Sequence, residues 1–220
     1  MTEPVPIDRP PQFDAAFCRK LEELFRWRRD VRRFRTDAVD PGMIDKLIAL
    51  AMLAPSVGNS QPWRFVKVDD TARRAQVRAN FEACNRAALA TYDGARASVY
   101  ARLKLAGLDR APVHLAVFVD GATDLGHGLG QRTMPETLTW SVVGAVHALW
   151  IAARAQGIGL GWVSIIDPGA VQAICEVPAT WQLVAYLCLG WPEEEHLDPE
   201  LHRAGWQRRL EALDQVIVQR

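Results

Sequence analysis

The sequence predicts a single mixed α+β domain. Two runs of strand length, APVHLAVFVD (111–120) and WQLVAYLCLGW (181–191), are almost wholly apolar, as expected of central strands covered on both faces. Around them lie segments whose apolar residues recur at steps of three and four and whose ends carry helix caps. The tally is about five helices and four or five strands without an internal repeat. At roughly 150 residues per domain, 220 residues make one large unit, 1–220, rather than two.

Residues 1–12 are rich in proline and acids and read as a loose arm, not as a signal peptide. From Phe13 the residues Ala16, Phe17, Leu21, Leu24 and Phe25 form one helical face. Asp40 followed by Pro41 starts a second helix, which Pro55 terminates. APSVGNSQP (54–62) is dense in turn formers, and WRFVKV after it alternates like a strand. Thr71 to about Lys104 reads as helical with a break near Asp93 and Gly94. Gly121 to Pro135 is a loop with four glycines and a candidate lid. The helix expected from Glu136 to Gln156 contains seventeen consecutive uncharged residues, 137–153. That is short of the about 20 apolar residues of a membrane span, so burial on nearly every side, in a domain centre or a subunit interface, is expected. GIGLGWVSII is strand-like, Asp167 and Pro168 open a short helix, and the tail from Pro192 is polar with Trp206, Leu210, Leu213 and Val216 as anchors.

Composition narrows the function. Hydrophobic residues make up 49% and charged ones 24%, and 26 basic side chains balance 26 acidic ones, which disfavours a surface built for nucleic acid or membrane. The four cysteines, Cys18, Cys84, Cys175 and Cys188, have neither disulfide nor zinc spacing and read as core thiols of a reducing, cytoplasmic protein, with no metal site. His147 on the uncharged helix reads as a hydrogen-bonded core residue. GHGLG (126–130) and GIGLG (157–161) do not match the dinucleotide pattern G-x-G-x-x-G, and no G-x-S-x-G, H-E-x-x-H or Walker pattern is present.

The segment RWRRDVRRFR (26–35) holds six arginines and one acid, Asp30. Guanidinium groups bind phosphate through bidentate, charge-assisted hydrogen bonds, so a phosphorylated ligand suits it. A solvated basic face or a nucleic-acid patch suits the segment equally well, and the neutral overall charge favours the small ligand.

Four pieces in order, RRDVRRF (28–34), APSVGNSQPW (54–63), the uncharged helix and GIGLGWVSI (157–165), resemble the FMN-binding nitroreductase-like superfamily over nearly the whole chain. Within it the chain resembles the aerobic branch that makes 5,6-dimethylbenzimidazole, the lower ligand of cobalamin. KLAGLDRAP (104–112) and GWQRRL (205–210) are similar to segments of that branch, and Asp30 stands where ordinary nitroreductases resemble this chain with the serine of R-x-S-x-R/K.

The resemblance implies a central mixed, mainly antiparallel sheet flanked by helices, in an intertwined homodimer with the flavin at the interface and residues 192–220 packing on the dimer. It implies that reduced FMN is consumed as substrate with O2, giving 5,6-dimethylbenzimidazole and erythrose 4-phosphate. NAD(P)H would act only through a separate flavin reductase. Arg28, Arg29 and Arg32 would hold the phosphate and pyrimidine edge with Asp30 and Val31 between them, Arg209 would join from the tail, and Arg32 would face the N1 and O2 edge. Ala54, Pro55 and Ser56 would meet the isoalloxazine, Leu105 would pack on it, and Gly161 and Trp162 would approach it. Asp30 would serve as general base near the ribityl chain and Ser164 would hydrogen-bond near N5 and C4a. For Asp30 a plain ion pair with Arg28 or Arg32, and for Ser164 a strand-end hydroxyl bonded to backbone, are the structural alternatives. An NAD(P)H-dependent nitroreductase or flavin reductase and a non-catalytic flavin-binding protein are the functional ones.

Overall fold

Four strands, β1 (Trp63–Lys67), β2 (Val113–Asp120), β3 (Gly159–Val163) and β4 (Trp181–Gly190), pair antiparallel in the order β1-β2-β4-β3 in the computed structural model, which describes residues 10–103, 107–210 and 216–219. The one parallel contribution is an isolated bridge between Asp30 and Leu160. The interior of β2 is buried throughout, which explains why its sequence shows no polar alternation.

Eight α-helices cover the sheet among the described residues: α1 (Ala15–Trp27), α2 (Pro41–Ala51), α3 (Thr71–Leu89), α4 (Gly94–Arg102), α5 (Gly107–Arg110), α6 (Thr137–Ala155), α7 (Pro168–Cys175) and α8 (Glu200–Arg203). Asp14, Asp40, Asp70 and Asp167 cap α1, α2, α3 and α7, each carboxylate accepting a first-turn backbone N–H. The four-residue helices α5 and α8 carry too little periodicity to be read from sequence. α2 ends at Ala51, before Pro55 is reached.

Two cores lie on opposite faces of the sheet. One joins Leu47 of α2 and Val142, Val146 and Leu149 of α6 to Leu115, Val117 and Leu187; the other joins Val77 of α3 and Val171 of α7 to Ala116, Phe118 and Tyr186. α6 is buried on one face only: Val142, Ala145, Val146, Leu149 and Ala153 face the sheet, while Trp140 and Val143 are exposed, against the expected burial all round. Its length and apolarity would suffice for a membrane span, yet its inner face packs on β1, β2, β3 and β4.

Other expectations are corrected by placement. His147 is exposed and stacks on Phe25, 6.2 Å between ring centroids, because it lies on the outer face of α6. Only Cys188 is a core thiol; Cys18 is exposed and Cys84 and Cys175 are half-buried, and all four are free. Leu210 and Val216 are exposed rather than anchoring, and Leu213 lies outside the described residues. Trp206 does anchor the tail, edge-on to Tyr92 at 5.3 Å and beside Tyr100 at 6.1 Å.

His114 is the buried histidine. Its Nδ1 lies 2.9 Å from the Tyr186 hydroxyl, and burial, reinforced by the charge of Arg74, pulls its pKa down to about 4. A depressed imidazole pKa means that the unfolded chain binds the proton first, so stability is full above the ordinary value of about 6.5 and is lost as pH falls towards 4. Wild-type protein is expected to lose about 2 kcal/mol more between pH 7 and pH 5 than His114→Phe does, as read by urea denaturation. Equal losses in the two proteins would mean that His114 is not held neutral.

Candidate functional site

The site begins with a backbone constraint. After α1 the chain runs along β3, the edge strand: Val31 N–H donates to Leu160 O at 3.0 Å, while Arg35 N–H donates to Trp191 O at 2.8 Å and Glu193 N–H to Arg33 O at 3.2 Å. Phe34, fully buried, plugs this segment into the core. The approach to β3 is so close that a Cβ at Gly161 would lie 2.1 Å from the Val31 carbonyl oxygen. The room left by glycine at 161 is therefore taken by Val31 and does not itself form a recess for a ring.

Pinned in this way, the arginine segment divides into two groups. Arg28 lies with its guanidinium carbon 4.8 Å above the Trp150 ring, and Trp150 Nε1–H donates to Arg29 O at 3.1 Å, so α6 holds both residues from below. Arg29 donates to the carbonyls of Leu197 and Arg26. Among the described residues neither Arg28 nor Arg29 nor the exposed Arg209 has a carboxylate at ion-pair distance. Burial lowers the pKa values of Arg28 and Arg29, opposed by the charges of Asp30 and Asp198 and reinforced by Arg209. Arg28 and Arg29, with Arg209 near enough to act on both, bring positive charge together with no carboxylate at ion-pair distance among the described residues, an arrangement suited to binding an anion.

Arg32 and Arg33 belong to the other group. Arg32 Nε lies 3.5 Å from Asp30 Oδ2 and 3.9 Å from Glu200 Oε2; Arg33 pairs with Glu194 and, at 3.3 Å, with Glu200. Arg32 thus reaches any ligand already partly neutralised. Asp30 Oδ1 accepts the Trp162 N–H at 2.9 Å. Although 38% of its side chain meets solvent, burial of the carboxylate is the leading influence and raises its pKa, against the lowering by the Trp162 N–H and by Arg32 and Arg28. A carboxylate of raised pKa at the rim of an anion site can accept a proton from a bound ligand. The ion-pair alternative for Asp30 describes part of what is seen, since Arg32 is its partner.

An open cleft is lined by Arg28, Arg29, Asp30, Arg32 and, from the tail, Glu200 and Leu201. Residues 192–206 therefore pack over the arginine segment of their own chain. Trp162 is half-buried, 6.4 Å from Trp150, and Ser164 is exposed just past the end of β3 with no hydrogen bond to backbone among the described residues. Ala54, Pro55 and Ser56 do not join this cluster within one chain. They follow α2, where Val57 N–H donates to Ser141 Oγ and Gln61 N–H to Ser56 Oγ, both at 3.0 Å. The loop 121–135 packs closely on the turn that follows them: a Cβ at Gly126 would meet Gly58 O at 2.5 Å, and one at Gly130 would meet Val57 at 2.8 Å. Leu105 lies outside the described residues. Trp150, Glu194 and Glu200 went unread in the sequence, the first inside a helix taken as core and the others among a run of similar carboxylates.

These observations can be set beside known proteins. The nitroreductase family model matches residues 25–191. The chain belongs to the nitroreductase family. Within the family it is 60% identical over 199 residues to a protein named 5,6-dimethylbenzimidazole synthase from Rhodospirillum rubrum, covering 90% of this chain and 94% of that one. It is 52% identical over 190 residues to a protein of the same name from Rhodobacter capsulatus, covering 86% and 92%. Among solved structures, oxidized iodotyrosine deiodinase bound to FMN and 3-iodo-L-tyrosine has the same fold, with a TM-score of 0.72 at 24% identity over 90% of this chain and 97% of that one. As a nitroreductase-family member the chain is an oxidoreductase, and the antiparallel sheet with helices on both faces is the family's fold.

Gly161→Ala tests the constraint on which this cluster is built. The variant is expected to lose at least about 2 kcal/mol in denaturant unfolding, because the new methyl must displace backbone rather than a side-chain end. Unchanged stability would show that the arginine segment can lift from β3 without cost.

Proposed function

We propose that the chain converts reduced FMN and O2 into 5,6-dimethylbenzimidazole and D-erythrose 4-phosphate, the pyrimidine portion of the flavin leaving as a third, oxygenated fragment, and so provides the lower axial ligand of cobalamin in the cytoplasm. The observation that carries the reading is Asp30: a carboxylate of raised pKa, held by the Trp162 N–H and near Arg32, beside Arg28 and Arg29, which have no carboxylate at ion-pair distance among the described residues. An acid so close to a phosphate site opposes anion binding, and a flavoprotein that only shuttles electrons gains nothing from it. The names of the 60% and 52% identical relatives support the same reading.

The donor set fits FMN. Arg28, Arg29 and Arg209 would take the phosphate dianion, which relieves their mutual repulsion. Arg32 and Trp162 would border the ring system, with Val31 beneath. Bound as the reduced substrate, the flavin supplies the electrons that O2 receives and the atoms of the product. Asp30 would take a proton from the ribityl carbon next to the ring, and Ser164, exposed and without a side-chain hydrogen bond to backbone among the described residues, would offer its hydroxyl to the N5 and C4a edge. Flavin would come reduced from a separate NAD(P)H-dependent reductase.

A second copy of the chain completes the site. Phe17, Leu21 and Phe25 on α1 and Trp140 and Val143 on α6 are exposed, an apolar surface that pairing would bury. Ala54, Pro55 and Ser56, remote from the arginines in one chain, would reach the flavin from the other subunit. A homodimer is therefore expected in light scattering, and Trp140→Glu is expected to yield monomers that fail to retain FMN. Monomeric wild-type protein with full FMN binding would sink this assembly.

The direct test mixes purified protein with chemically reduced FMN under anaerobic conditions, admits air and follows the products by chromatography with mass detection. Dimethylbenzimidazole is expected in proportion to FMN lost. Asp30→Asn is expected to cut its formation by about 100-fold or more while binding FMN as tightly as wild type or tighter, since a negative charge leaves the site. Intact FMN after aeration, with NAD(P)H oxidised in a follow-up assay, would indicate a conventional nitroreductase.

A further inference from the structure

Glu200 has no role in the function described so far, yet its carboxylate is only 17% exposed and each oxygen faces a different guanidinium. Oε1 lies 3.3 Å from Arg33 and Oε2 lies 3.9 Å from Arg32 Nε, the same nitrogen that lies 3.5 Å from Asp30 Oδ2. One guanidinium nitrogen thus lies within ion-pair distance of two carboxylates, and the Arg32 side chain is only 12% exposed. Arg33, itself tied to Glu194, holds Glu200 in place from the far side. Trp206, clasped by Tyr92 and Tyr100, fixes the tail that carries Glu200.

We infer that Glu200 is a positioning residue for the reaction: it fixes Arg32 between two carboxylates and so sets how much of that guanidinium's charge Asp30 receives. The inference rests on the reading of Asp30 as the proton acceptor. Its physical content is competition. A guanidinium given wholly to Asp30 would stabilise the carboxylate and weaken it as a base, whereas Glu200 draws part of that charge away and adds a negative charge of its own nearby. The charged and titratable groups around Asp30 are Arg28, Arg29, Arg32 and Arg33 on its own segment and Glu194, His196, Asp198, Glu200 and Arg203 from the tail; Cys188 of β4, its thiol pushed up by burial, faces it as a neutral group. Of the carboxylates in this set, Glu200 is the one that shares a guanidinium nitrogen with Asp30.

The test reads Asp30 directly, in flavin-free protein labelled with 13C at aspartate carboxyls, with Asp30→Asn assigning the resonance. In Glu200→Gln the Asp30 titration midpoint is expected to move down by roughly half to one pH unit. Glu200→Asp, whose carboxylate is withdrawn by one methylene, is expected to shift it the same way by less, and it carries the test if the glutamine variant does not fold. In turnover with reduced FMN and O2, the acid limb of the Glu200→Gln rate profile should move down with the midpoint, the plateau should fall roughly threefold, and KM should stay within twofold. An unmoved or raised midpoint in both variants overturns the inference. If instead the midpoint moves but Asp30→Asn still forms product at the wild-type rate, the role of Asp30 as base fails while the coupling of Glu200 to Asp30 stands.

Discussion

The contact on which the rest depends is the near-contact pass of Val31 over Gly161. Strand β3 is an edge of the sheet, and an edge leaves backbone groups unpaired. The segment after α1 covers that edge, Val31 bonding to Leu160 on one side and Arg33 and Arg35 bonding to residues 191–193 on the other. Phe34 then fills the core between them. Because the backbone is fixed at both sides, the side chains of residues 28–33 have little choice of direction. A charged segment that would otherwise be a mobile surface stretch becomes a rigid frame for chemistry.

That frame sorts charge by partner. Arg28 and Arg29 point towards Trp150 and the tail carbonyls, where no carboxylate pairs with them, while Arg32 and Arg33 point towards Glu194 and Glu200. The two outcomes follow from what packs above each residue. α6 offers an indole and the tail after β4 offers acids. A formal net charge of zero over the whole chain is thus compatible with a local excess of positive charge, because Glu194 and Glu200 pair with Arg32 and Arg33 and leave Arg28 and Arg29 without a carboxylate at ion-pair distance among the described residues.

Much of the fold was legible because local signals agreed. The caps at Asp40 and Asp167 and the apolar runs of β2 and β4 each name their element without help from the rest of the chain. What was not legible depends on long-range packing. The outer face of α6 looks like core in sequence because Trp140 and Val143 are apolar, and a single chain leaves them exposed. His147 was misread for the same reason, being one step round the helix from buried Val146. The arginine segment stood out at once, but its division into two groups could not be read, since the partners Trp150, Glu194 and Glu200 are more than 100 residues away.

An acid among guanidiniums proposed to take a phosphate is a conflict, and the way it is contained bears on the proposed reaction. Asp30 Oδ1 is held by the Trp162 amide, a backbone donor that the edge strand has to spare, and Oδ2 faces Arg32. Those contacts oppose the effect of burial, and the balance still leaves the carboxyl above its ordinary pKa. Had the site needed only to bind phosphate, a serine at the same position would accept the Trp162 N–H without charge repulsion. Retaining a carboxylate there weakens anion binding and strengthens proton uptake. That exchange suits the proposed reaction, in which a bound flavin would lose a proton from carbon, better than one in which it would only receive and return electrons.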